Sequence, residues 1–268
     1  MIERLLVLKL DAVECEAEAC LNGMPIARAH PGQPRIALPV HEYTLSGANR
    51  LELVVWPHPA AGTGSPAPSP QALVASGRAA AHARLLLPRV GNAADESSAR
   101  TLAQLDWAPA AGTAFEAPLS LQVDVQLPVS FPRWRWLEAP AVADPSGLPA
   151  QAVAYLRPLA DSLAAGDPEP FLTAVRLRTE EIAAAYQQDP REATARLRQH
   201  LVACFEAGRL RWQPLDALLL RPVAGGRLLE CLSPEGQPAL CTETDDDGRS
   251  LALPLRMAFL ESHFYVLR

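Results

Sequence analysis

Lysine is almost missing from this chain: Lys9 is the only one, and every other fixed positive side chain is arginine. With heavy use of alanine and proline, that is the coding bias of a GC-rich bacterial genome. Basic charge is also too thin for nucleic acid. The net charge is −6, whereas a phosphate backbone needs a concentrated basic surface. No stretch approaches the roughly 20 apolar residues of a membrane span. The first apolar run, Leu5 to Leu10, is broken by Lys9 and then Asp11, which fits a buried strand better than a secretory signal. The five cysteines (Cys15, Cys20, Cys204, Cys231, Cys241) are odd in number and form no CxxC pair. They read as small buried hydrophobes in a reducing compartment, so a cytoplasmic location is expected.

Catalytic signatures are missing as well. His41-Glu42-Tyr43-Thr44-Leu45 begins like a zinc-protease motif, but leucine stands where the second histidine ligand belongs. Glu243, Asp245, Asp247 and Gly248 imitate the opening of a calcium loop, yet Pro254 occupies the position of the bidentate glutamate. That segment reads as an acidic hairpin tip in water, with weak cation binding left open. Gly225-Gly226 has none of the companions of a phosphate loop, no nucleophile elbow is present, and the six histidines are scattered. No catalytic residue, metal or cofactor is assigned.

What is present is a strand-rich first half and a helix-then-strand second half. Glu14–Leu21 and Met24–Ala29 flank Asn22-Gly23, the residue pair that suits a type I′ hairpin turn. Arg50–Trp56, Arg78–Leu87, Thr101–Trp107 and the alternating Leu119–Leu127 add further strands. A proline-rich stretch, 57–70, reads as an exposed, mobile loop. Together these predict an all-β sandwich over residues 1–138, followed by a linker at 139–149. Leu21-Asn22-Gly23-Met24-Pro25-Ile26, with Leu45-Ser46-Gly47-Ala48-Asn49-Arg50-Leu51, resembles the turn chemistry of galactose-binding-like jelly-roll domains. The resemblance implies a jelly-roll fold for that part and carries no sugar binding with it.

Residues 150–268 predict an α+β domain, three helices on a curved antiparallel sheet. The helices are expected at 150–165 (kinked or split by Pro158), 168–187 and 190–207, with Asp167-Pro168 and Asp189-Pro190 as starts and Gly208 as a stop. From Leu210 the period changes to two, and an antiparallel meander follows, with turns at Ser233–Gly236 and Asp245–Gly248. This order of elements resembles the NTF2-like cone, whose helices and sheet enclose a pocket.

Two places stand out as candidate binding sites. Arg133-Trp134-Arg135-Trp136, on an extended strand, would show both indoles on one face and both guanidinium groups on the other. The indoles could stack on a sugar, base or partner, or the arginines could hold an anionic group, although tryptophans sealing the interface between the two domains is the favoured reading. Arg178 falls inside the apolar stripe of the second helix formed by Phe171, Val175, Ile182 and Tyr186. It could hold an anion in a helix–sheet pocket, but a structural ion pair with a carboxylate such as Glu181 or one from the sheet is favoured. The expectation is a non-enzymatic protein whose partner is another protein, such as a secretion-system accessory or immunity protein. A carbohydrate or small anionic ligand, and an NTF2-like enzyme, remain as alternatives.

Overall fold

The computed structural model describes residues 5–57, 73–74, 77–88, 99–128, 130–244 and 250–268. Most of the proline-rich stretch and the Asp245–Gly248 turn therefore lie outside the described residues. The content is mixed α and β, and contacts divide the chain into two compact units, Met1–Phe131 and Pro132–Arg268. No helix among the described residues is long and apolar enough to cross a membrane.

The first unit is built from strands β1 (Val7–Val13), β2 (Cys15–Leu21), β3 (Met24–Ala29), β4 (Arg35–Pro39) and β5 (Gly47–Pro57). They are followed by β6 (Leu73–Val74), β7 (Ala80–Leu87), β8 (Arg100–Trp107), β9 (Ala114–Phe115) and β10 (Leu119–Leu127). Eight of these form two antiparallel four-stranded sheets, ordered β4-β1-β7-β8 and β10-β5-β2-β3, while β6 pairs with β9. Both sheets contribute to one core. Leu8 and Leu10 of β1 and Leu51, Leu53 and Val55 of β5 meet the small residues Ala17 and Ala19 of β2 and Ala81 and Ala83 of β7. Alternating large and small side chains lets facing layers interdigitate at normal packing density.

The Asn-Gly turn forms as its chemistry requires, with φ of 56° at Asn22 and 72° at Gly23. Its asparagine does more than turn the chain. The Asn22 side-chain amide donates to the Tyr43 carbonyl (2.9 Å) and to Asn49 Oδ1 (2.8 Å), and Asn22 Oδ1 accepts from the Arg50 amide (3.0 Å). Buried Asn49 accepts also from the Leu45 amide (2.8 Å) and donates to the carbonyls of Leu45 and Gly47 (both 2.9 Å). Two asparagines far apart in sequence thus tie the β2–β3 hairpin to the start of β5, and each satisfies backbone groups that lie outside the ladders.

The second unit contains α1 (Pro149–Ala164), α2 (Glu169–Ala174), α3 (Arg176–Ala185) and α4 (Pro190–Glu206). Its strands are β11 (Leu219–Val223), β12 (Leu228–Leu232), β13 (Leu240–Cys241), β14 (Ala252–Leu253), β15 (Arg256–Leu260) and β16 (His263–Val266). Its larger sheet runs β11-β12-β15-β16, and β13-β14 pair separately, so the expected single meander is divided in two. The core joins Ala152, Leu156, Leu159 and Leu163 of α1, at helical spacing, to Phe171, Leu201, Leu229, Met257 and Val266.

Four helices are present among the described residues where three are expected. Pro158 lies within α1 without dividing it; its position is solvent-facing, where water can satisfy the carbonyl it leaves unbonded. The break comes instead at Val175, with φ −92° and ψ 8°, between α2 and α3. Asp189 caps α4 through the Arg191 amide (2.8 Å), with Pro190 opening the helix. Asp167 accepts from the Glu169 amide (3.0 Å), so its carboxylate also serves a helix start, although α2 begins one residue later than expected. Residues 139–149, linker-like in composition, are held at two points: Arg227 donates to the Ala139 carbonyl (2.7 Å) and the Val142 amide to the Gly226 carbonyl (2.9 Å).

The asparagine pair gives a direct test. Asn49→Ala strands the groups on Leu45, Gly47 and Asn22 in a buried site, and urea unfolding should show a loss of about 3 kcal/mol. Arg50→Ala, on the exposed side of the same strand, should leave the midpoint nearly unchanged.

Candidate functional site

The arginine–tryptophan segment is not a strand. Residues 130–134 are irregular, and Arg135–Glu138 form a 3-10 helix, so the expected separation into an indole face and a guanidinium face does not arise. Trp134 and Trp136 are both buried, which withdraws the indoles from any exposed platform. Arg133 is exposed and pairs with Glu138. Arg135 reaches Glu180 (3.0 Å) and the Leu177 carbonyl (3.3 Å) on α3. These contacts lie within the second unit.

Arg178 is half-buried on α3. Ile182 and Tyr186 are only half-buried, and α3 instead buries Glu181, Ala183 and Ala185. Glu181 has two partners of its own. Its carboxylate is bonded to the Arg268 guanidinium and accepts from the Arg135 backbone amide (2.7 Å). Arg268 in turn lies over the Trp134 ring, 5.2 Å from its centroid. A second buried carboxylate, Glu230 on β12, is held between Arg221 of β11 and Arg256 of β15, the latter at 2.8 Å. Buried charges survive only when paired this closely, and here both carboxylates are consumed in holding the sheet and α3 together.

A place with room for a ligand lies in the first unit. A cleft of about 1180 Å³ lies over β4, β1 and β7, closed at one end by Pro31 and Pro34 and by the turn at Val13–Cys15. Strand pleating sends alternate residues of each strand outward, and antiparallel register then aligns them in rows. One row reads Arg35, Asp11, His82, Asp106 across β4, β1, β7 and β8. The next reads Ala37, Lys9, Arg84, Gln104.

The two rows differ electrostatically. In the first, basic and acidic side chains alternate: Arg35 faces Asp11 at 3.5 Å and His82 Nδ1 meets Asp106 at 2.7 Å. Gln104 also donates to Asp106, at 2.6 Å. Partial burial alone would push the Asp106 carboxyl up. The hydrogen bonds from His82 and Gln104, with the charges of His82 and Arg84, outweigh it and hold Asp106 below the usual carboxylate range. In the second row Lys9 and Arg84 stand directly opposite each other, and the Arg84 charge also acts on Asp106.

None of these cleft residues stands out as a site in the sequence, although Lys9 and Asp11 are visible there as interruptions of an apolar run. The available signal is a polar residue at every second position of three separate strands. Its meaning depends on β1 pairing with β7, a contact across more than seventy residues.

Two of the thiols are disfavoured as thiolates, while Cys204 lies 3.8 Å from His200 Nε2. All five cysteines are buried and free. Burial pushes the Cys231 thiol up to about 12, with the neighbouring Glu230 charge adding to it. Burial also raises Cys15, which lines the cleft, outweighing its backbone bonds to Val13 and Ala80. His41 is likewise occupied in the fold. Its Nε2 accepts from the Leu6 amide (2.8 Å), and its ring packs edge-on against Phe131.

Two outcomes follow from this chemistry. Glu181→Ala leaves Arg268 charged in a buried site and should cost about 3–5 kcal/mol in urea unfolding. At pH 7 the native protein should react with a thiol-specific aromatic disulfide far more slowly than the unfolded chain, in which all five cysteines titrate.

Comparison with known protein families, with curated proteins and with solved structures finds no match for this chain.

Proposed function

We propose that this chain is a non-enzymatic binding protein whose first unit, a jelly-roll-like β sandwich, contacts its partner through the cleft over β4, β1 and β7. The second unit, an NTF2-like arrangement of helices on a sheet, is the other domain of this reading. The observation that carries the proposal is the cleft itself, with its outward rows of charge. It is larger than the roughly 300–1,000 Å³ of ordinary small-molecule pockets and lies on an open sheet face. A surface of that kind suits a segment of another protein better than an enclosed substrate.

The chemistry of the surrounding groups points the same way. Glu181 and Glu230 are neutralised by arginines, His41 is bonded to backbone, and the Cys231 thiol is held protonated. These groups, which would otherwise be candidates for acid–base or nucleophilic work, are occupied in holding the fold.

Lys9 supplies the test, because an amine-directed acetylating reagent has no other lysine to modify. The tagged protein is captured with its partner from lysate and acetylated, and Lys9 occupancy is read by peptide mapping. Lys9 should be modified several-fold more slowly in the complex than in the free protein. Equal rates would remove the cleft as the contact surface.

A further inference from the structure

We propose that the free edge of β10 is a dimerisation strand, pairing antiparallel with β10 of a second copy of this chain about a two-fold axis at Val123. The inference is independent of the cleft, which is floored by the other sheet.

An edge strand exposes a row of backbone donors and acceptors, and folds normally block it with proline, a bulge or short length. The other edges of the four-stranded sheets carry such devices. β3 contains Pro25 and a shift in register that leaves Ile26 as an extra residue. β8 has the same irregularity at Leu102. β4 is five residues long and ends in Pro39, β11 contains Pro222, and β16 has four residues. β10 has none of these. Its nine residues, Leu119–Leu127, hold no proline, pair with β5 in unbroken register, and have no other strand neighbour among the described residues. Its inward side chains Leu119, Leu121, Val123 and Val125 are only half-buried. Left open, a flat strand of this length and pattern invites uncontrolled association. Pairing with a symmetric copy satisfies both edges and closes the assembly.

The order of residues in β10 fits a second copy in one register. With Leu119 opposite Leu127 all nine residues pair, and Pro118 and Pro128 stop the pairing at either end. The inner face then matches aliphatic with aliphatic: Leu119 with Leu127, Leu121 with Val125, and Val123 with itself. The outer face sets Ser120 against Gln126 and Gln122 against Asp124, so each carboxylate meets an amide donor. Within one chain Gln122 stands beside Glu52 on β5, and Asp124 beside Arg50, which holds it at 2.7 Å. Across the axis each row therefore reads Glu52, Gln122, then Asp124 and Arg50 of the second copy, with opposite charges at its ends and no like charges abreast. Moving the axis to Asp124 would oppose two carboxylates and leave Leu119 and Ser120 unpaired.

Sedimentation velocity of the full chain over a range of concentrations should show a reversible monomer–dimer equilibrium. Gln122→Asp meets Asp124 of the other copy twice in each dimer and should weaken association by about fivefold or more. Gln126→Asp adds the same charge opposite Ser120 and should change it by less than about twofold. Cross-linking reads the register. The axis brings the two Val123 Cα atoms to about 4.5–5.5 Å, within reach of a disulfide, so mild oxidation of Val123→Cys should give a reducible dimer. Val125→Cys, whose two copies stand about 14 Å apart in this register, should not. The five native cysteines are buried and do not compete. The mass of the unaltered chain and the two outward glutamine variants keep the test decisive whether or not Val123→Cys folds well. A monomer at the highest concentration reached, a dimer that responds alike to both glutamine changes, or cross-linking at Val125 in preference to Val123 would each overturn the proposal.

Discussion

The constraint on which the first unit depends is the two-residue period of its strands. Leu8, Leu10 and Ala12 of β1 and Ala81, Ala83 and Leu85 of β7 must enter the shared core, because burying that apolar surface drives the two sheets together. Once they point inward, Lys9, Asp11, His82 and Arg84 have no choice but the opposite face. The charged floor of the cleft is therefore a by-product of core formation in position, though not in composition. Packing fixes where these side chains stand and leaves their charge open.

The second unit solves a different problem. It places carboxylates in its interior, Glu181 on α3 and Glu230 on β12, and surrounds them with arginines from β11, β15 and the C-terminal residue Arg268. Such pairs contribute less to stability than an apolar core of equal volume would, since each ion loses its water. Their value lies in geometry. A charged clasp has one acceptable arrangement, and here it fixes the phase of α3 and brings Trp134 beneath Arg268. The segment that looks from its composition like a recognition strand is one of the parts this clasp holds.

Both units use a few polar contacts between distant residues to settle what local preferences leave open. Asn22 and Asn49 do so between a hairpin and the strand β5 beside it. Their side chains satisfy backbone groups at a turn and a bend, where ladder bonds are interrupted, and so fix how the two segments meet.

Several features are legible in the residues themselves, and each is local. The Asn22-Gly23 hairpin follows from the two positive-φ positions that a type I′ turn needs, the alternation in Leu119–Leu127 from the pleat, and the start of α4 from Asp189-Pro190. In each case the determining atoms lie within a few residues of one another. The division of the second helix at Val175 is not legible, because the apolar spacing runs on through it and the competing claim on α3 comes from Arg268, far along the chain. Nor is the burial of Trp134 and Trp136, since burial is decided by what packs over a side chain. The sequence by itself determined the Asn22-Gly23 turn, the alternation in Leu119–Leu127 and the cap of α4. Only the tertiary structure decided which polar rows become neighbours, because strand order in a sheet is set by contacts between segments that no local period encodes.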